Sequence, residues 1–280
     1  MDANGVHFLS MPSGLTDREK AFSMRILAIG DVTSARGVEH LKRNLWRFRE
    51  EKRIDFCVVN GENASFISGI VREQAEELLR SGADCITGGN HTMNARGAEA
   101  MLEEFSEVLR PINYGDSVSG RGYGIFDAMG YRILVINALG IVGVEPRLDN
   151  PYTFIDKALA ECEGDYDLAV LDIHAEATGE KLAVGYAYDG KIGVIFGTHT
   201  HVPTADAMVL PNGSGYVTDL GMCGESGGVL GMDSSTVVEK MRTRLPIRFK
   251  AAAGEPTADG VVFDYDMSAK RVVALERVKF

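Results

Sequence analysis

The sequence predicts an α/β protein built on a parallel sheet with covering helices. Three observations carry that expectation. From Met24 onward, short apolar runs alternate with amphipathic segments. Three successive runs end in polar clusters: Asp31, then Glu62-Asn63, then Asn90-His91. A later run, Ile192-Gly-Val-Ile-Phe-Gly197, stops at glycine, and His199 and His201 follow in alternate positions. Such a stop marks a buried strand feeding a loop at its C-terminal end, where open α/β sheets bind ligands.

Residues 1–23 are mixed and polar, with neither the basic start nor the apolar stretch of a signal peptide, and are expected to be a disordered extension. Arg25–Gly30 reads as a strand ending at Asp31. A helix over about 35–51 places Val38, Leu41, Leu45 and Phe48 on one face. Phe56–Val59 is the next strand, and 72–80 the next helix, with Gly82 where a C-terminal cap belongs. Asp84–Thr87 is a third strand and 94–105 a third helix.

The second half is richer in strand. Tyr123–Ala128 and Tyr131–Ala138 flank Met129-Gly130 as a tight hairpin. A helix over 151–163 starts at proline, and Leu168–Ile173 is a buried strand ending at His174. Ala207–Leu210 and Gly215–Leu220 bracket a second hairpin. The glycine-rich stretch 221–231 reads as a loop, 233–245 as a capped helix, and 260–266 and 271–278 as strands. With no linker and no internal repeat, 24–280 is expected to form one domain with two sheets.

Composition narrows the function. A net charge of -11 argues against a polymeric nucleic-acid partner, whose backbone needs clustered Lys and Arg. An acidic protein can still act on a small phosphate ester if bound cations reverse the local charge. The four cysteines form no C-x-x-C pair, which fits reduced thiols in a cytoplasmic protein. No run approaches the ~20 apolar residues of a membrane span.

The strand ends collect Asp31, Glu62, Asn63, Asn90, His91, His174, His199 and His201. Four of the six histidines belong to this set; His7 lies in the leader and His40 on a helix. Carboxylate oxygen mixed with imidazole nitrogen suits Mn, Fe or Zn better than Mg or Ca. Two ions need roughly six to eight protein ligands, so the set has the right size. Glu62 is the best placed bridging carboxylate.

Asp31, Gly61-Glu62-Asn63, Gly89-Asn90-His91, His174 and Gly197-Thr-His-Thr-His201 resemble the five motif blocks of the calcineurin-like metallophosphoesterases. Asn60-Gly-Glu-Asn-Ala64, His174-Ala-Glu-Ala-Thr178 with Glu180-Lys181, and Thr198-His-Thr-His-Val202 resemble the YmdB-like branch in particular, and the likeness runs from Met24 to Phe280. The resemblance implies a four-layer α/β/β/α sandwich of two facing mixed sheets around a dinuclear metal centre. It implies that Asp31, Glu62, Asn63 and His201 hold the first ion. Glu62 then bridges to a second held by Asn90, His174 and His199, with His91 beside the ions as an acid or transition-state stabiliser. The implied reaction is hydrolysis of cyclic nucleotides, 2',3'-cyclic before 3',5'-cyclic, by in-line attack of a metal-bridging hydroxide.

Three departures matter. The superfamily's first block is usually Asp-x-His, whereas Asp31-Val-Thr33 has no histidine; its second usually carries aspartate, where this chain has Glu62. Both belong to the YmdB-like pattern, and the oxygen-rich first site leans the metals towards Fe or Mn over Zn. Met93-Asn94 replaces the expected Trp-Asp after His91. Tyr114, Tyr123 and Phe66 are candidates to stack on a base.

Rival readings fit less well. Gly224-Glu-Ser-Gly-Gly228 matches G-x-S-x-G, but Gly-Val-Leu-Gly follows where a nucleophile elbow needs a helix; the loop reads better as draped over the metal site. Asp172, Glu176 and Glu180 could form a glycosidase acid pair, a chemistry that leaves the histidines without a role. A regulatory metal-binding protein, or a nuclease or protein phosphatase on the same core, stays open, as does assembly into a homo-oligomer.

Overall fold

In the computed structural model, residues 23–65 and 68–280 are described. The leader up to residue 22, with His7, and the stacking candidate Phe66 lie outside the described residues. Ser23 is already part of the first strand.

Strand β1 (Ser23–Ile29) shows why the apolar runs are continuous. Leu27 and Ile29 face one core and Met24, Ile26 and Ala28 another, so both faces of the strand are covered. Its sheet runs in the order β2 (Asp31–Val32), β12 (Met222–Glu225), β13 (Pro256–Asp266), β1, β3 (Phe56–Asn60), β4 (Cys85–Thr87) and β5 (Val108–Leu109). β14 (Arg271–Lys279) also pairs with β13. β1, β3, β4 and β5 are mutually parallel, and β13 runs antiparallel to β1.

The second sheet runs β10 (Met208–Val209), β11 (Gly215–Val217), β9 (Val194–Thr198), β8 (Leu168–His174), β7 (Tyr131–Leu139) and β6 (Tyr123–Ala128). β7, β8, β9 and β11 are parallel, and the edge strands β6 and β10 are antiparallel.

The sheets face each other across Ile26, Ala28, Phe56, Val58 and Phe263 on one side and Ile133, Val135, Val170, Val194 and Phe196 on the other. Helices α1 (Ala35–Lys52), α2 (Arg72–Arg80) and α3 (Ala98–Glu104) cover the outer face of the first sheet. Helices α4 (Pro151–Glu161) and α5 (Thr178–Tyr188) cover the second. This is the expected α/β/β/α sandwich. Helix α1 follows the predicted stripe, with Val38, Leu41, Leu45 and Phe48 buried, Ser34 accepting from Gly37 N–H as N-cap, and Arg53 closing it in the left-handed region. Burial of Leu41 and Leu45 contributes ~1.5–3 kcal/mol each. Among the described residues, no helix is long and apolar enough to cross a membrane.

Several elements differ from the sequence expectation, the short strand β5 among them. Helix α5 was not anticipated, because Gly179 and Gly185 weaken its pattern; a Cβ on Gly185 would meet the Tyr216 ring at 2.7 Å, so packing against β11 requires glycine there. The third helix is shortened by Gly97, whose φ of 85° opens it at Ala98, while Thr92–Asn94 forms a separate 3-10 turn. The stretch 221–231 contains β12, which pairs with β2 and β13. Beyond it, α6 (Ser234–Thr243) begins at the N-cap Asp233, as expected.

Candidate metal centre

The parallel strands end on one rim, and the polar residues gather there. Asp31 opens β2 directly after Gly30, where any Cβ would collide with the Gly221 carbonyl oxygen. That close approach lets Asp31 N–H donate to the same carbonyl at 3.2 Å. Glu62 and Asn63 form the turn after β3, and Asn90 and His91 follow β4. Between them Gly89 is obligatory, since a Cβ would collide with both His174 Nε2 and Glu62 Oε2. His174 ends β8, and His199 and His201 follow β9 with positive φ of 99° and 62°. A non-glycine residue held there stores strain that the surroundings must offset.

Two groups of candidate ligand atoms result. Asp31, Glu62 and His201 each offer one donor atom, all within 4.8 Å of one another. Among the described residues Asp31 Oδ1 is buried and makes no hydrogen bond, with the His174 and His201 nitrogens each 3.7 Å away, a gap that a cation would fill. Asn63 lies beside them, but its NH2 donates to Glu62 Oε1 and faces His201 Nε2 at 3.5 Å, while its oxygen accepts from His91 Nδ1 at 2.9 Å.

In the second group, His174 Nε2 lies 3.0 Å from Asn90 Oδ1, 3.2 Å from His199 Nδ1 and 3.4 Å from Glu62 Oε2. The other nitrogens are occupied: His174 Nδ1 meets Thr198 Oγ1 at 2.8 Å, and His199 Nε2 meets Glu176 at 3.1 Å. Acceptor atoms therefore face one another, the donor set a cation fits. Glu62 contributes to both groups.

Charge follows geometry. Burial pushes the Asp31 carboxyl up, yet the His201 and His174 imidazoles outweigh it and hold Asp31 well below the usual carboxylate range. Glu62 is likewise lowered against its burial by His174 and His91. His91, half-exposed, is raised by its hydrogen bond to Glu62, while burial lowers His174.

Behind the rim lie residues to which the sequence assigns no site role. Asp172, considered from sequence only as a glycosidase acid, is wholly buried and accepts from Thr87, Asn60 and Thr198. Burial pushes its carboxyl up to about 7. Lys181, seen only as part of a family motif, is equally buried and bonds Thr198 O at 2.6 Å and Asp219 at 2.8 Å; Asp219 in turn accepts from Thr200 N–H and Gly221 N–H. The pair clamps the loop bearing both strained histidines.

The decoys resolve. Glu180 accepts from the backbone N–H groups of Ile141 and Val142, and Asp172 from Thr87, Asn60 and Thr198, so both carboxylates are engaged in holding the fold. Ser226 follows β12 without a helix directly after it. Tyr123 bonds Glu161 on α4, whereas Tyr114 is close enough to feel the charge of Glu62.

Helix–sheet–sheet–helix layering that carries acids, amides and imidazoles on one rim is the architecture of the calcineurin-like metallophosphoesterases. Within that class the chain belongs to the YmdB-like family, described as "YmdB-like protein", which matches residues 27–278. A 2',3'-cyclic-nucleotide 2'-phosphodiesterase of Bacillus subtilis (strain 168) is 39% identical over 255 residues, covering 91% of this chain and 96% of that protein. A crystal structure of a hypothetical protein from Thermus thermophilus is similar with a TM-score of 0.84 at 33% identity, covering 92% of this chain and 99% of that one. A phosphatase from Mycoplasma pneumoniae gives 0.85 at 32% identity, covering 92% and 93%.

Proposed function

We propose that this chain is a phosphoester hydrolase that opens cyclic nucleotides, 2',3'-cyclic ones first, at a centre of two metal ions. The observation that carries the reading is the convergence of buried and half-buried acceptor atoms in two groups sharing Glu62, with Asp31 Oδ1 making no hydrogen bond among the described residues. The Bacillus relative's activity supports the choice of substrate.

In this reading Asp31, Glu62, Asn63 and His201 hold the first ion, and Glu62, Asn90, His174 and His199 the second. Asn63 serves once its amide turns over, a change that moves no carbon atom. The oxygen-rich first site favours Fe or Mn over Zn. Bound ions would supply Lewis acidity and lower the pKa of water. His91, beside Glu62 at the edge of the site, acts as an acid towards the leaving alkoxide or as a transition-state stabiliser. The free, buried cysteines fit a cytoplasmic setting.

The test is a panel of cyclic mononucleotides, RNA and phosphopeptides offered to Mn- and Fe-loaded protein. Selective turnover of cyclic mononucleotides supports the proposal. Preference for RNA or phosphopeptide would move the function to a nuclease or protein phosphatase, and metal binding without turnover would leave a regulatory role.

A further inference from the structure

We propose that Asp172, acting through the hydroxyl of Thr198, is a positioning residue that fixes the tautomer of His174 and so completes the second metal site. The inference rests on the two-ion reading above and assigns a role to a residue that reading leaves out.

Asp172 belongs to a buried polar bridge between the sheets. Asn60 and Thr87 come from the first sheet, Asp172 and Thr198 from the second, and all four are fully buried. Much of the remaining contact between the sheets is apolar, through side chains such as Val58, Val170 and Phe196, although Asn137 of β7 also donates to Leu109 O of β5. Sinking a carboxylate into such a layer costs several kcal/mol even after relaxation. Apolar packing would serve stability as well, so the bridge calls for another purpose.

The hydrogen-bond inventory supplies one. Asn60 Oδ1 accepts from Glu62 N–H at 3.1 Å, which orients its NH2 towards Gly88 O and Asp172 Oδ2. Asp172 Oδ2 also accepts from the Thr87 hydroxyl, and Asp172 Oδ1 accepts from the Thr198 hydroxyl at 2.8 Å. With its proton directed at Asp172, Thr198 Oγ1 turns a lone pair to His174 Nδ1, 2.8 Å away. The Nδ1–H therefore donates to Thr198, and Nε2 is left bare towards Asn90, His199 and Glu62. Among the described residues, the other acceptor facing Nδ1 is Asp31 Oδ1, 3.7 Å away and beyond hydrogen-bond reach. Without the Thr198 hydroxyl the proton moves to Nε2, where Asn90 and Glu62 accept it and it blocks the ion.

The discriminating variants are Thr198→Val, which removes the hydroxyl at nearly constant shape, and Thr198→Ser, which restores it. Mn titration followed by electron paramagnetic resonance and metal analysis reads both ions without reference to turnover. The expected result for Thr198→Val is an unchanged first ion and a second ion bound ~10- to 100-fold more weakly. Thr198→Ser should bind both as the wild type does. Asp172→Asn, a weaker acceptor, should weaken the second ion selectively and provides the same reading if Thr198→Val does not fold.

Wild-type binding of both ions by Thr198→Val overturns the proposal. So does equal weakening of both ions that serine does not rescue, or a wild-type protein that holds fewer than two ions. A wild type that binds two ions and hydrolyses no phosphodiester overturns the hydrolase reading and leaves this assignment in place.

Discussion

His174 Nε2 and His199 Nδ1 lie 3.2 Å apart with their rings at 73°, while the second nitrogen of each is engaged by Thr198 and Glu176. Two bare nitrogens at that separation repel unless a cation joins them. Chelation should therefore destabilise the protein. An ion present at 100 times its Kd contributes ~2.7 kcal/mol. At ~2–4 °C per kcal/mol for a chain of this size, Tm should fall by ~5–10 °C and recover on adding Mn. Scanning calorimetry checks this.

Gly89→Ala should destroy the centre with the fold kept. The new Cβ would press on both His174 and Glu62, and overpacking of this kind typically costs ~1–3 kcal/mol. The expected outcome is a folded protein by circular dichroism that retains at most one ion and shows no turnover.

His91→Ala should leave metal content unchanged, since no ligand atom is assigned to it. Turnover should drop ~100- to 10,000-fold, the usual contribution of a positioned acid. Loss of metal alongside activity would make His91 a ligand.

Lys181→Met leaves Asp219 buried opposite no cation, although Thr200 N–H and Gly221 N–H still reach it. Breaking a buried pair from one side typically costs ~3–5 kcal/mol. Urea unfolding should show that loss, and adding Asp219→Asn should recover part of it.

Asp172 gives the metal-free protein a distinctive pH dependence. Its folded pKa of about 7 exceeds the unfolded value, so between those values the native state holds a proton that the unfolded chain has released. Stability contributed by the protonated form is present below the unfolded value and lost as pH rises towards 7. Tm of chelated protein should fall from pH 5 to 7, and Asp172→Asn should flatten that slope.

Much of this was legible in the sequence because of where polar residues stood. Asp31, Glu62, Asn90, His174, His199 and His201 each follow an apolar run, and a strand end is a position that periodicity can locate. Asp172 was hidden inside such a run, between Leu171 and Ile173, where one-dimensional pattern reads an acid as a decoy and says nothing of its cross-sheet partners. Lys181 was hidden with its helix, where Gly185 is required for packing against Tyr216 and, like Gly179, resembles a loop residue in sequence. Strand β12 was masked in the same way, because Gly224 passes so close to Thr33 that any side chain would collide. The orientation of the Asn63 amide depends on His91 and His201 together, a three-body matter that no local pattern encodes.

If the two acceptor groups sharing Glu62 form a hydrolytic centre for cyclic nucleotides, turnover must follow the ions. The most direct measurement is hydrolysis of a 2',3'-cyclic nucleotide by protein carrying two Mn or Fe ions, compared with the same protein after chelation. Turnover should disappear with the ions and return when they are restored. Protein with both ions bound and no turnover of any cyclic nucleotide would contradict it.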